Sequence, residues 1–173
     1  QARLDHPNIC RVYEVGQVEG KPYIAMEFVA GTSLDEARGR LSLHEKVQVI
    51  RDAALALHEA HRLGIIHRDV KPANIMLERH PDGRLRPVVM DFGLARDDSE
   101  QRDLTQTGAV MGTPAYMAPE QARGSGQKLD RRVDVYSLGA TLYELLTGRP
   151  PFEGRDTVDV LLEVLGKDPP PVR

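Results

Sequence analysis

Asp69 and Asn74 lie five residues apart in the stretch His67-Arg68-Asp69-Val70-Lys71-Pro72-Ala73-Asn74, and Asp91-Phe92-Gly93 begins seventeen residues after Asn74. A carboxylate to take a hydroxyl proton, with an amide and a second carboxylate to hold Mg²⁺ against the phosphates of ATP, is what phosphoryl transfer needs from a protein. Asp and Asn are also ordinary turn formers, so either alone would carry no such meaning. The order and spacing of all three carry it.

Composition bounds the rest. With 173 residues, 40% hydrophobic and 28% charged, the chain is globular in composition and long enough for one domain-sized core. A net charge of −3 provides no broad basic field, and therefore no support for nucleic-acid binding or for adsorption to an acidic membrane. Cys10 stands alone, which excludes an intrachain disulfide, and nothing near it in sequence argues for a lowered pKa; it reads as a small buried residue rather than a nucleophile. No apolar run approaches the roughly 18 residues that span a bilayer, and no signal peptide opens the chain. A reducing cytoplasm is the simplest compartment, with any membrane anchor of a parent outside this segment. Gln1 is not an initiator Met, Ala2-Arg3-Leu4 reads like the last turn of a helix, and Pro169-Pro170-Pro171 closes the chain without a finished element, so the chain reads as part of a larger polypeptide.

The elements that must position the acceptors follow from local patterns. Ile9 to Val18 and Pro22 to Phe28 are β-rich around Glu19-Gly20, predicting a hairpin. Val29-Ala30-Gly31-Thr32 then loses the pattern. Ser42 with Glu45 forms a capping box, after which Val47, Ile50, Ala54 and Leu57 recur at helical spacing until Gly64 supplies a stop. Ile75-Met76-Leu77 and Val88-Val89-Met90 flank Pro81-Asp82-Gly83, a turn signal, predicting a second hairpin that delivers Asn74 at one end and Asp91 at the other. Leu94 to Met117 is polar and without sustained periodicity, as expected of a long mobile segment with a functional role. Asp130 is placed to cap a mostly apolar, central helix running through Val133 to Leu146 and ending at Gly148 and Pro150. A last amphipathic helix spans Thr157 to Leu165 and stops at Gly166.

Five ordered motifs now identify a resemblance: the stretch from His67 to Asn74, Asp91-Phe92-Gly93, Gly112-Thr113-Pro114, Ala118-Pro119-Glu120, and Asp134-Val135-Tyr136-Ser137-Leu138-Gly139 together resemble the eukaryotic-type protein kinases. Lys71-Pro72 and Gly112-Thr113-Pro114 look like the Ser/Thr subgroup, and Thr147-Gly148-Arg149-Pro150-Pro151-Phe152 looks most like bacterial members. The resemblance implies an α+β, protein-kinase-like fold, with residues 1–25 ending the small lobe, 26–32 forming the hinge and 33–173 an incomplete large lobe. It implies ATP and Mg as cofactors and protein substrates as partners. A dimer of the parent for trans-phosphorylation is compatible with it.

By the same resemblance, Asp69 would be the catalytic base, acting mainly by position, and Lys71 would set a charge against the γ-phosphate. Asn74 and Asp91 would hold Mg²⁺ bridging the phosphates. Backbone groups of Glu27 and Val29 would pair with the adenine edge, Met26 would stand as gatekeeper and Met76 would lie beneath the ring. His67 and Phe92 would stack in the hydrophobic spine, with Val12 as a third member, and Asp134 would accept hydrogen bonds from the catalytic-loop backbone, a helix-capping role being its alternative. Arg68 would pair with a phosphate on Thr105 or Thr107, with Ser99 behind them. Thr113 would contact Asp69 and Lys71 and shape the substrate pocket. Ala73 stands where some kinases carry an acidic residue, so no requirement for Arg upstream of the target is expected.

Parts of the family pattern do not occur in these residues. The Gly-rich phosphate loop, the third-strand Lys and its Glu partner would lie upstream, and the Arg that usually pairs with Glu120 downstream. An unpaired, partly buried Glu120 is unfavourable, and residues 1–173 alone are expected to transfer phosphate poorly or not at all. Two other readings stand beside the enzyme: a pseudokinase scaffold that binds protein partners, and a small-molecule phosphotransferase sharing an Asp with an Asn five residues on.

Overall fold

The computed structural model describes residues 4–92, 113–124 and 129–172. Strands β1 (Val12–Val18) and β2 (Lys21–Met26) form the expected antiparallel hairpin. Glu19 and Gly20 both take left-handed backbone angles, φ 50° and 78°, the pair that a two-residue turn needs to follow the right-handed twist of its strands. The hairpin is shorter than the β-rich run at both ends. Ile9 instead bridges Val89 in parallel, with the Cys10 N–H donating to the Val89 carbonyl at 2.9 Å, and Glu27 and Phe28 lie outside any strand.

The stretch that loses its sequence pattern is ordered by a distant partner. β3 (Thr32–Ser33) pairs with β4 (Ile75–Arg79), which pairs with β5 (Leu85–Val89), making a three-stranded sheet in the order β3-β4-β5. Gly31 is required by this approach, because a Cβ there would sit 2.2 Å from the Leu77 carbonyl oxygen. Ser33 then caps a one-turn helix, α1 (Leu34–Ala37), accepting from the Glu36 N–H.

Helix α2 (Leu43–Arg62) starts at the predicted capping box, where Ser42 accepts from the Glu45 N–H and the Glu45 carboxylate accepts from the Ser42 N–H at 2.8 Å. It ends at Gly64, φ 76°. The buried stripe differs from the expected one: Val49, Ala53, Ala56 and Ala60 face the core with Ile50 and Leu57, while Val47 and Ala54 are exposed. α2 packs against both β5 and α4 (Arg132–Thr147), and the small alanines let those backbones come close. The core cluster joins α2 to Leu34, Val70, Ile75, Val89, Phe92, Leu138 and Leu145.

Helix α4 begins at Arg132, one residue before its apolar run. Asp130 is not the N-cap, a position held by Arg131; its carboxylate accepts the Arg132 N–H at 2.9 Å from just outside the helix. The helix ends at Gly148 in the left-handed conformation. One face is buried and contains Asp134, Ser137, Thr141 and Glu144 among its apolar residues, whereas Val135 is 65% exposed. The helix is therefore one-sided rather than buried all round. α3 (Pro119–Ala122) precedes it, and α5 (Thr157–Gly166), capped by Asp156, follows. Among the described residues no helix is long and apolar enough to cross a membrane.

Candidate active site

Two of the sequence-predicted residues, Lys71 and Asn74, converge on the carboxylate of a third, Asp69. Asp69 follows Arg68, whose φ of 68° turns the chain sharply, and a 3-10 turn over Pro72–Asn74 brings the chain back under it. Lys71 Nζ reaches Asp69 Oδ2 at 2.9 Å, and Asn74 Nδ2 donates to both Asp69 Oδ2 at 3.1 Å and the Asp69 carbonyl at 2.8 Å. Both donors take the same carboxylate oxygen, so Oδ1 accepts no hydrogen bond from the described residues. The Asp69 side chain is 35% exposed, so that oxygen can meet a solvent-borne hydroxyl.

The β4–β5 hairpin fixes the fourth residue. Its register pairs Ile75 with Val89, and the Met90 N–H donates to the Asn74 carbonyl at 2.8 Å, which sets Asp91 at the same end of the sheet as Asn74. Asp91 is exposed and sits at φ 55°, a strained conformation for a residue with a Cβ. The amide nitrogen of Asn74 is spent on Asp69, and its Oδ1 accepts from none of the described residues. An amide oxygen and a carboxylate at one edge are a partial set for a hard divalent cation, with the remaining ligands left to phosphate and water. No group of three or more His, Cys, Asp or Glu side chains among the described residues forms a metal cage.

Behind this edge the loop backbone is held by a fully buried carboxylate. Asp134 accepts the His67 N–H at 2.8 Å and the Arg68 N–H at 2.7 Å, and His61 Nε2 lies 2.6 Å from its Oδ2. The alternative of Asp134 as a plain helix cap has no support, since its acceptors serve the loop. His67 is fully buried, with Nε2 2.7 Å from the Met90 carbonyl and Nδ1 accepting the Asp69 N–H at 3.2 Å. That pattern suits a neutral ring, and burial lowers its pKa from 6.5, outweighing the Met90 carbonyl and the nearby carboxylates. Its ring lies 4.7 Å from that of Phe92, tilted by 57°, and Val12 pairs with Met26 in the β1–β2 hairpin.

On the other side of Asn74 an apolar cluster gathers Cys10, Val29 and Val88 with Met26, Met76 and Met90. Met26, Val29 and Met76, named from the sequence, share this cluster, and Glu27 lies outside it. The Glu27 N–H is committed to the Arg11 carbonyl at 2.8 Å, whereas the Val29 N–H has no hydrogen bond among the described residues. Cys10 is buried, its Sγ 3.5 Å from the Glu27 carbonyl, and burial with the Glu27 and Asp91 charges pushes its pKa up. A thiol so placed is a packing residue.

The segment from Thr113 to Ala118 packs against the loop. Thr113 lines a cavity of about 10 Å³ with Arg68, Asp69, Val70, Tyr116, Met117 and Ser137. It hydrogen-bonds neither Asp69 nor Lys71. Ser137 Oγ donates to the Tyr116 carbonyl at 2.7 Å, and the Tyr116 hydroxyl donates to Glu144, which also binds Arg38. Burial and the Glu144 carboxylate push the Tyr116 pKa far up. Glu120 is half-buried and has no ion-pair partner among the described residues. Arg68 is half-buried, and Thr105, Thr107, Ser99, Gly93 and Gly112 lie outside the described residues.

His61, Arg38, Glu144 and Gln121 have no sequence signal that singles them out. Their partners lie across the fold, 73 residues away for His61 with Asp134 and 106 for Arg38 with Glu144.

The comparisons agree with this geometry. Residues 1–166 match the family model described as Protein kinase domain. Serine/threonine-protein kinase PknB of Mycobacterium leprae is 45% identical over 177 residues, covering 98% of this chain and 28% of that protein. Serine/threonine-protein kinase pkn3 of Myxococcus xanthus is 44% identical, covering 98% of this chain and 32% of the relative. The crystal structure of a double mutant of the Mycobacterium tuberculosis PknI kinase domain superposes with a TM-score of 0.73 at 30% identity, covering 98% of this chain and 58% of that one. The chain thus spans about a third or less of the length of these full-length relatives. With the family model matched over nearly all its residues, the chain belongs to the protein kinase family.

Proposed function

We propose that this chain is the catalytic part of a serine/threonine protein kinase that moves the γ-phosphate of ATP to Ser or Thr hydroxyls of protein substrates. The observation that carries the reading is the convergence of Lys71 and Asn74 on Asp69 Oδ2, which leaves Oδ1 to accept a hydroxyl proton. Asp69 is the base, positioned rather than strongly basic, because the loose transition state asks for little proton abstraction. Lys71, 2.9 Å from that carboxylate, would set its charge against the γ-phosphate as charge shifts there. A bound Mg²⁺ would supply neutralisation of the phosphate charge. Asn74 Oδ1 and the Asp91 carboxylate would hold it, while Met26, Val29 and Met76 would frame the adenine, met by the Glu27 carbonyl and the Val29 N–H. Residues 1–25 end the small lobe, 26–32 form the hinge and 33–173 the large lobe. Arg68 receives a phosphate on Thr105 or Thr107, and Thr113 shapes the acceptor pocket.

The test uses the complete polypeptide that carries this chain, given Mg-ATP with either a generic protein or small-molecule acceptors. Asp69→Asn lowers kcat by about a thousandfold while nucleotide affinity persists. Nucleotide binding without transfer to any acceptor makes the protein a scaffold; transfer to small molecules alone makes it a different phosphotransferase. Residues 1–173 by themselves transfer phosphate poorly, since they include no Gly-rich loop and no strand lysine paired to a helix glutamate.

A further inference from the structure

Four consecutive backbone polar groups present Asp69, and each has a side-chain partner. Asp134 Oδ1 accepts the Arg68 N–H at 2.7 Å, His67 Nδ1 accepts the Asp69 N–H at 3.2 Å, and Asn74 Nδ2 donates to the Asp69 carbonyl at 2.8 Å. The remaining group, the Arg68 carbonyl, accepts Gln121 Nε2 at 3.0 Å. Gln121 is 93% buried by its 7% exposure, and its Oε1 accepts the Ala118 N–H at 3.1 Å, so both ends of the amide are committed. The peptide it grips follows Arg68 at φ 68°, a left-handed conformation that a residue with a Cβ keeps only when its surroundings hold it.

We propose that Gln121 is a positioning residue for phosphoryl transfer: its amide clamps the strained Arg68–Asp69 peptide to α3, so the aim of Asp69 depends on the substrate-side segment 113–122. The inference rests on the reading of Asp69 given above. Its physical basis is that, among the described residues, Gln121 supplies the hydrogen bond from α3 to that peptide, and a partly buried carbonyl left without its donor moves to find another. The other three clamps come from α4 and from the loop itself, and do not report on the substrate side.

The test is Gln121→Glu in the complete polypeptide, which keeps the acceptor for the Ala118 N–H and replaces the donor to Arg68 with a carboxylate oxygen. Above its pKa this variant sets two acceptors against each other, and kcat falls roughly tenfold with the KM for ATP unchanged. When protonated, the carboxyl donates again. A buried carboxyl titrates high, so the ratio of variant to wild-type kcat rises as the pH falls from about 8 to about 6. Every other group around the loop is common to both proteins, so the ratio isolates the carboxyl introduced at position 121. Gln121→Met loses both bonds and stays low at every pH. Hydrogen–deuterium exchange is the second readout: in Gln121→Glu at high pH it rises over residues 66–70 and not over β1–β2 or α5. A ratio that is flat with pH, or wild-type kcat at high pH, overturns the inference, as does exchange that is unchanged or raised everywhere. If the wild-type polypeptide transfers no phosphate, the reading of Asp69 fails first; the exchange arm then still decides whether Gln121 holds the loop.

Discussion

The two ends of α4 each bury a carboxylate, and they do different work. Asp134, in the first turn, is gripped by two backbone N–H groups of the loop and by His61. Glu144, about 15 Å further along the axis, is held by two side chains, the guanidinium of Arg38 and the hydroxyl of Tyr116. Backbone donors cannot swing out to water when their acceptor goes, but Arg38, 37% exposed, can. One helix therefore fixes the chemistry loop rigidly at one end and the substrate-side segment more softly at the other.

Three experiments would break or sharpen that contrast. The largest effect is expected from Asp134→Asn, which satisfies at most one of the two loop N–H groups and orphans the other. It destabilises by about 3 kcal/mol and lowers kcat, read by thermal unfolding and a kinase assay. Glu144→Gln keeps an acceptor for Tyr116 but drops the ion pair, for about 1 to 2 kcal/mol. Its kinetic signature is a raised KM for protein substrate with the KM for ATP kept; a loss of kcat as deep as that of Asp134→Asn would erase the difference between the two ends.

The smallest effect is a pH dependence at the Asp134 end. His67 folds as a neutral ring with its pKa below 6.5, so below that pH the unfolded chain binds the extra proton first. Its contribution is fully present above pH 6.5 and is lost as the pH falls from there through the folded value. Denaturant unfolding at a series of pH values should show that slope, and His67→Gln should flatten it.

Much of the local structure was legible. Ser42 with Glu45 announces the start of α2, Gly64 and Gly148 announce helix ends, and Glu19-Gly20 and Pro81-Asp82-Gly83 announce turns, because each acts through backbone geometry within a few residues. In α2, Ile50 and Leu57 face the core as their spacing predicts, but Val47 and Ala54 do not, and Val49, Ala53, Ala56 and Ala60 complete the stripe. Periodicity identifies a helix but cannot choose between adjacent stripes when alanines, which weigh little in such a pattern, make the closest contact. β3 and α1 escaped for another reason: a two-residue strand has no pattern of its own and exists by pairing with β4.

At the site, the spacing of Asp69, Lys71, Asn74 and Asp91 was visible because the 3-10 turn and the β4–β5 hairpin that join them are local. The partners that hold them were not. Nothing in Ala118-Pro119-Glu120-Gln121 marks the glutamine as the residue that reaches Arg68, 53 positions away, since a polar residue in a short helix normally faces water.

The sequence by itself determined which groups would meet at the edge of β4 and β5 and what chemistry they suit, since residue type and short spacing decide both. The tertiary structure decided how they are aimed: which oxygen of Asp69 is left open, which peptide is strained, and which buried side chains from α3 and α4 hold it. Those choices depend on polar groups that must find partners once water is excluded, and only the packed chain determines which partners are in reach.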